Sequence, residues 1–562
     1  MSASGTIGTA INETRRSLAT VFRNRALRRL NLALAGSMIG DWAYATAVAV
    51  WAYGVGGATA VGVFGTVKLS VSAVGAPFTS ALADRFPRRT LMVGCDLFRA
   101  VIVTVAAALV EWDGPDLAVF GLAVVAGLAG TAFRPAQLAL TPSLVEEPDE
   151  LTAANGVAST IESLAFFVGP ALGGILLGVA DVATVFVLNA ATFVWSAVLV
   201  AGVHPRPATA VPPVRAPEQD QEPEEEHADG FVRTALAGFG VIWRDPDLRL
   251  VTFIYCAQTV VAGASLVFGV AIALDLTDLG PAGLGYLDST LGVGALLGGL
   301  LTVALASRRR LASDFGWGVF FWAVPLLLIA VWPVAAAAFL AMAVIGAANP
   351  VVDVNANTIL QRLVPDAVLG RVFGALESAL IATMALGSLL MPLFIAWIGL
   401  RWGLVVLAVP IAVIALASMP RLRRLDATVR EPAGVALLYG VPLFQPLRRP
   451  LVEALAAKLE QRRVTAGDVV VREGDVGDLF YVIESGALDA THDGRLLTHM
   501  EAGDHFGEIA LLRDVPRTAS VVATEDSVLQ TIKREDFLAA LTGDEELRGR
   551  TESVAARRLA NT

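Results

Sequence analysis

From Leu27 to Met419 the chain is an almost unbroken series of apolar stretches, each close to the length at which a helix crosses a lipid bilayer. A helix rises ~1.5 Å per residue and the hydrocarbon layer is ~30 Å thick, so about 20 apolar residues make one crossing. That rule divides the stretch into twelve predicted spans, at 30–53, 60–83, 90–110, 117–137, 156–177, 182–203, 248–271, 283–306, 315–332, 334–358, 372–398 and 402–419. With 55% hydrophobic and 17% charged residues, the chain is too apolar for an ordinary soluble multidomain protein.

Six spans precede a polar stretch and six follow it. Pro205 to Asp229 carries Pro212, Pro213, Glu222, Glu224, Glu225 and Glu226, which predicts a solvated linker. Arginines cluster after even-numbered spans: Arg85, Arg88 and Arg89, then Arg308, Arg309 and Arg310, then Arg421, Arg423 and Arg424. The positive-inside rule therefore puts both termini and the linker in the cytoplasm. The basic N-terminus (Arg15, Arg16, Arg23, Arg25, Arg28, Arg29) has no small-residue cleavage site before the first span and reads as a cytoplasmic tail. A net charge of -10 argues against nucleic acid as a partner. Cys95 and Cys256 have no metal-ligand or disulfide spacing and read as small buried hydrophobes, so no metal is expected.

Ionisable groups within spans are costly, and each is a functional candidate. They are Asp41, Lys68, Asp96, Arg99, Arg134, Glu162, Asp288, Asp353 and Glu377. Asp96 and Arg99, spaced i, i+3, are expected to neutralise each other. Asp41 and Glu162 are the expected proton-coupling carboxylates; a buried hydrogen-bonding role fits either one equally. Two six-span halves suggest a carrier rocking about a midplane site, although composition alone also fits a channel or a lipid-handling protein.

The segment Ser80 to Arg89, SALADRFPRR, resembles the signature between spans two and three of the major facilitator superfamily. The resemblance implies a cytoplasmic charge lock of Asp84, Arg85, Arg88 and Arg89, with Ser80 and Pro87 replacing the two signature glycines. VGPALGG, Val168 to Gly174, resembles the span-five pattern of drug and metabolite antiporters. Glycines there let helices touch and Pro170 loosens the helix, a pattern that plain small-residue packing also explains. Ala132 to Val145 and Asn357 to Ser378 are similar to loops of the macrolide and siderophore exporter branch. This similarity covers residues 25–420 and implies proton-driven export of a small amphipathic compound.

Beyond Phe444 the apolar runs shorten, glycines recur at Gly467, Gly474, Gly477, Gly486, Gly494, Gly503 and Gly507, and strands such as 468–472 and 479–484 alternate with turns. That pattern predicts a β-roll or jelly roll, with helices at 450–460, 534–541 and 544–559. Within it, FGEIALLRDVPRTASV, Phe506 to Val521, resembles the phosphate-binding cassette of cyclic nucleotide-binding domains, and Glu473 to Leu488 resembles their strand-turn-strand segment. The predicted ligand-binding residues are Phe506, Gly507, Glu508, Ile509, Ala510, Arg517, Thr518 and Ala519. Arg517 offers planar donors to phosphate oxygens, Glu508 an acceptor to a ribose hydroxyl, and Gly507 room for the sugar. Thr518 adds a hydroxyl donor; a threonine at this place is common in cGMP sites, but the bacterial look of the composition favours cAMP. Arg548, Arg550, Arg557 and Arg558 on the last helix offer a cap for the base, or simply a solvated basic face.

The expected protein is thus a polytopic α-helical carrier of the bacterial inner membrane with a cytoplasmic sensor. Its predicted parts are a tail at 1–26, a first half at 27–203, a linker at 204–246, a second half at 247–420, a linker at 421–442 and the nucleotide-binding domain at 443–562. It is not read as an enzyme; its expected partners are the bilayer, a small-molecule substrate and a cyclic nucleotide. The other readings are a non-transporting membrane-anchored sensor and an importer or lipid flippase.

Overall fold

The computed structural model describes residues 21–145, 148–204, 238–306, 310–428, 434–445, 447, 449–513 and 515–542. The predicted linker at 205–229, Arg15 and Arg16, Arg308 and Arg309, the helix at 544–559 and the side chains of Ser80 and Asp84 lie outside the described residues. Two compact units divide the chain, Met1–Val429 and Arg430–Thr562.

The first unit is helical: α1 (Arg25–Arg85), α2 (Arg88–Glu111), α3 (Asp116–Gly130), α4 (Phe133–Leu140), α5 (Pro148–Val179), α6 (Val182–Ala201), α7 (Pro246–Ala271), α8 (Pro281–Ala306), α9 (Leu311–Val331), α10 (Ala335–Leu363) and α11 (Asp366–Thr428). Among the described residues, ten helices are long and apolar enough to cross a membrane, which makes this a multi-pass membrane protein. α1 and α11 hold 61 and 63 residues, about three bilayer thicknesses if straight. Neither is straight. The backbone leaves helical geometry at Gly56 and Gly57 in α1 and at Gly399 in α11, with φ of 59° at Gly57 and 80° at Gly399, values that glycine adopts without strain.

Among the described residues, close small-residue contacts join the halves in two places. In one, Gly62 and Gly65 of α1 lie against Ser388 of α11, whose hydroxyl donates to the Gly62 carbonyl at 3.1 Å. In the other, Gly174 of α5 meets Gly285 of α8, where a Cβ on Gly285 would stand 2.3 Å from the Pro170 carbonyl oxygen. Only small residues permit backbones to approach so closely.

Both predicted linkers end earlier than expected. Residues 238–244 are helical, with Ile242 buried, because Gly238 packs against the Arg371 carbonyl of α11. α11 continues to Thr428, and α12 (Val435–Gly440) buries Val435 and Leu438 in the core of the second unit. The apolar face of that short helix, not chain length, decides where it belongs.

In the second unit, α12 and α13 (Arg449–Ala456) lead into eight strands: β1 (Glu460–Val464), β2 (Val469–Val471), β3 (Leu479–Ser485), β4 (Leu488–His492), β5 (Arg495–Met500), β6 (His505–Phe506), β7 (Ser520–Ala523) and β8 (Ser527–Lys533). α14 (Glu508–Arg513) lies between β6 and β7, and α15 (Arg534–Thr542) follows β8. The strands form two antiparallel sheets, ordered β1-β8-β3-β6 and β2-β7-β4-β5. Asp493 and Gly494, both with positive φ, close the two-residue β4–β5 hairpin. β3 is buried on both faces through its period of two. Tyr481 and Ile483 enter the roll, whereas Phe480 and Val482 pack outward under Phe444 and Phe537.

Candidate functional site

All eight residues predicted from the cassette line one cavity of about 340 Å³ in the roll, a volume in the usual range for small-molecule pockets. The chain reaches it by turning at Gly507, φ +96°, between β6 and α14. Arg517 sits just before β7, held by its backbone N–H donating to Asp475 O at 2.8 Å and its carbonyl accepting from Gly474 N at 2.8 Å. Its side chain is buried, and the guanidinium donates to Leu479 O at 2.7 Å and Gly507 O at 3.1 Å. Burial pulls the arginine below its ordinary pKa, and Tyr481, Asp478 and Glu508 oppose that shift. Two carbonyls use part of the guanidinium fork, and the rest remains for an anion.

Sequence reasoning missed what makes room for Arg517. A Cβ on Gly477 would stand 2.4 Å from its Nε, and one on Gly507 2.6 Å from an Nη. Tyr481 lies below the guanidinium at 5.8 Å and stacks on Phe506 at 4.6 Å. No motif marks Tyr481; only the alternation in β3 turns it inward. Glu508 is buried at the start of α14, and Val471, Ala490, Leu497 and Met500 supply an apolar wall. The arrangement suits a ligand with one anionic end and a flat, weakly polar body. Gly477→Ala isolates the cradle, since Gly477 does not need a left-handed backbone. Displacing Arg517 from one charge-assisted hydrogen bond, worth ~1.5–3 kcal/mol, should weaken anion binding about tenfold or more, measurable by calorimetry.

The membrane unit holds a second cavity, of about 670 Å³, lined mainly by α1 to α6 with Leu266 and Met384 from the other half. Both predicted carboxylates face it. Asp41 accepts from Arg99 at 2.6 Å, and Glu162 pairs with Arg134. Arg99 also lies over the Phe193 ring at 4.0 Å. The expected Asp96–Arg99 neutralisation is therefore corrected. Packing of α1 and α6 on α2 draws the guanidinium to Asp41 and Phe193, and Asp96 is left fully buried beside Ser196. In the other half, Asp353 accepts from Tyr255 Oη at 2.7 Å and Asn349 Nδ2 at 3.0 Å. Cys95 and Cys256 are half-buried free thiols.

Of the predicted charge lock, Arg88 donates to Ala139 O near the end of α4 at 2.6 Å and Arg89 to Ala201 O at the end of α6. Each cation thus caps carbonyls at a helix C-terminus, where the helix dipole favours it. Arg85 is exposed at the last residue of α1. The span-five glycines do pack helices closely: Gly169 and Gly173 approach α1 at Trp42 and Ala43, and Gly174 approaches α8.

Comparison with known proteins gives two family matches: the Major Facilitator Superfamily over residues 30–313, half of the chain, and the Cyclic nucleotide-binding domain over residues 461–544. The cAMP-dependent protein kinase regulatory subunit of Colletotrichum orbiculare is 40% identical over 117 residues, 20% of this chain and 30% of that protein. The corresponding subunit of Mucor circinelloides f. lusitanicus is 45% identical over 99 residues, 18% of this chain and 23% of that protein. The chain thus spans less than a third of the length of these relatives. The crystal structure of Thermus thermophilus Catabolite Activator Protein is 33% identical, covers 21% of this chain and 59% of that one, and has a TM-score of 0.20.

Proposed function

The chain belongs to the Major Facilitator Superfamily and carries a cyclic nucleotide-binding domain, and we propose that it is a proton-coupled exporter of a small amphipathic compound whose alternating access is regulated by cAMP. On this reading α1 and α11 are each a pair of spans, giving twelve in all, and the termini and the sensor lie in the cytoplasm of a bacterial cell. One observation supports it above others: a single chain contains an apolar membrane cavity with two arginine-paired carboxylates and, separately, a roll with a buried arginine in a glycine cradle.

The sensor's residues fit cAMP. Arg517 would hold the cyclic phosphate, Glu508 the ribose, and Val471, Leu497 and Met500 the base. The relatives that match this part are named for dependence on cAMP, which favours it over cGMP. In the carrier, a proton taken up by the Glu162 or Asp41 carboxylate cancels its attraction for Arg134 or Arg99 and frees that cation to move. Regulation requires that the nucleotide-bound sensor favour one carrier conformation, typically by ~1–3 kcal/mol.

The last helix of the membrane unit, α11, is fastened at its end. Near its C-terminus, Asp426 accepts from Ala312 N at 2.7 Å and Ser313 Oγ at 2.5 Å, capping the first turn of α9. The end of α11, after which the chain passes in sequence to the second unit, is therefore tied to another helix of the membrane unit. Proteoliposomes containing the full chain and a mixed library of amphipathic solutes test the proposal by mass spectrometry. A subset of solutes should leave only when protons run in the opposite direction, at a rate that cAMP changes. Asp426→Ala should leave efflux intact and reduce the cAMP effect severalfold. No solute movement with either gradient would assign the chain to a membrane-anchored sensor.

A further inference from the structure

The membrane cavity is charge-unbalanced. Three cations, Lys68, Arg99 and Arg134, line it with two carboxylates, Asp41 and Glu162, and both carboxylates are engaged by arginine. Among the described residues, Lys68 makes no ion pair or hydrogen bond with the protein. Asp41, the acid within its electrostatic reach, already accepts from Arg99. Asp96, fully buried beside Ser196 and off the cavity wall, acts electrostatically on Arg99 and Asp41 and supplies no partner to Lys68.

The rest of the wall is mainly apolar, including Trp42, Phe64, Phe133 and Leu266, with Ser37, Tyr44, Thr131, Gln137 and Asn189 as its uncharged polar members. Coulomb interactions are strong in such surroundings, and a lone ammonium there lacks the counter-charge that buried ions normally have. A lysine, unlike an arginine, is a compact cation suited to a single anionic head, whatever the head's geometry.

We propose that the transported compound is an amphipathic organic anion whose carboxylate, sulfonate or phosphate head meets Lys68 and whose apolar body lies along Trp42, Phe64 and Phe133. This rests on the carrier reading above and narrows its substrate class.

Three probes sharing a naphthalene ring test it by thermal shift on the purified full chain in phosphatidylcholine nanodiscs: 2-naphthalenesulfonate, 2-naphthalenemethanol and 2-naphthylmethylammonium. The sulfonate should bind roughly tenfold or more tightly than the alcohol, the scale of one charge-assisted contact, and the ammonium more weakly still. Lys68→Met should remove the sulfonate's advantage and Lys68→Arg should keep it, so that loss of charge is separated from loss of fold. The assignment is overturned if the ammonium binds best, if Lys68→Met leaves the preference unchanged, or if no probe binds. It is also overturned if phosphatidylglycerol in the discs abolishes the sulfonate shift, which would give Lys68 to a lipid headgroup. The efflux experiment reports separately on whether the chain is a carrier at all, so failure of the charge assignment and failure of the carrier reading are distinguishable.

Discussion

Arg517→Ala is expected to abolish measurable cAMP binding to the full chain while leaving the two sheets of the roll folded. Removing one partner of a desolvated, hydrogen-bonded charge contact costs ~2–5 kcal/mol, which is roughly a thirtyfold to several-thousandfold loss of affinity. The fold should survive, because the hydrophobic roll interior around Ile483, Leu488 and Leu529 does not depend on the guanidinium. The Leu479 and Gly507 carbonyls that it now satisfies lie beside the ligand cavity, where water can replace it. Titration calorimetry gives the affinity and amide exchange of β3 gives the integrity of the roll. Nearly unchanged affinity would remove the phosphate role from Arg517.

The second large effect is expected in the membrane unit. Arg99 is 9% exposed and Asp41 35% exposed, so truncation of the arginine leaves a carboxylate facing a mainly apolar cavity without its ion-pair partner. Breaking a buried pair costs ~3–5 kcal/mol, and the partial exposure of Asp41 brings Arg99→Ala just below that range, to ~2–3 kcal/mol. The thermal midpoint of the membrane unit should fall by several degrees and solute efflux should be lost. Asp41→Asn in the same chain should restore most of the stability, since a neutral amide needs no counter-ion, but not the proton dependence. Additive losses in the double variant would show that the two side chains act independently.

What could be read from the sequence follows the range over which each rule acts. Lipid demands ~20 apolar residues per crossing wherever the chain goes, so helix positions were legible from local composition. The cassette was legible because Gly507, Glu508 and Arg517, which line one cavity, all fall within the short run Phe506 to Val521. Pairings across the bundle were not. Asp41 and Arg99 are 58 residues apart, and the nearer Asp96 offered a local partner that packing against Phe193 and α1 displaced. Gly477 was visible only as one more turn glycine, since the clash it avoids involves a side chain 40 positions on in sequence. The length of α11 and the attachment of α12 to the roll depended on burial of Leu422, Leu425 and Leu438, which a charge-rich, proline-bearing stretch concealed.

Hydrogen–deuterium exchange on the full chain, with and without saturating cAMP, addresses most directly whether a ligand of the roll governs the carrier. Altered protection is expected at the start of α9 and the end of α11 as well as in the roll, and both changes should vanish in Arg517→Ala. Protection confined to residues 460–542, with cAMP bound and the membrane helices unaffected, would contradict a regulated carrier.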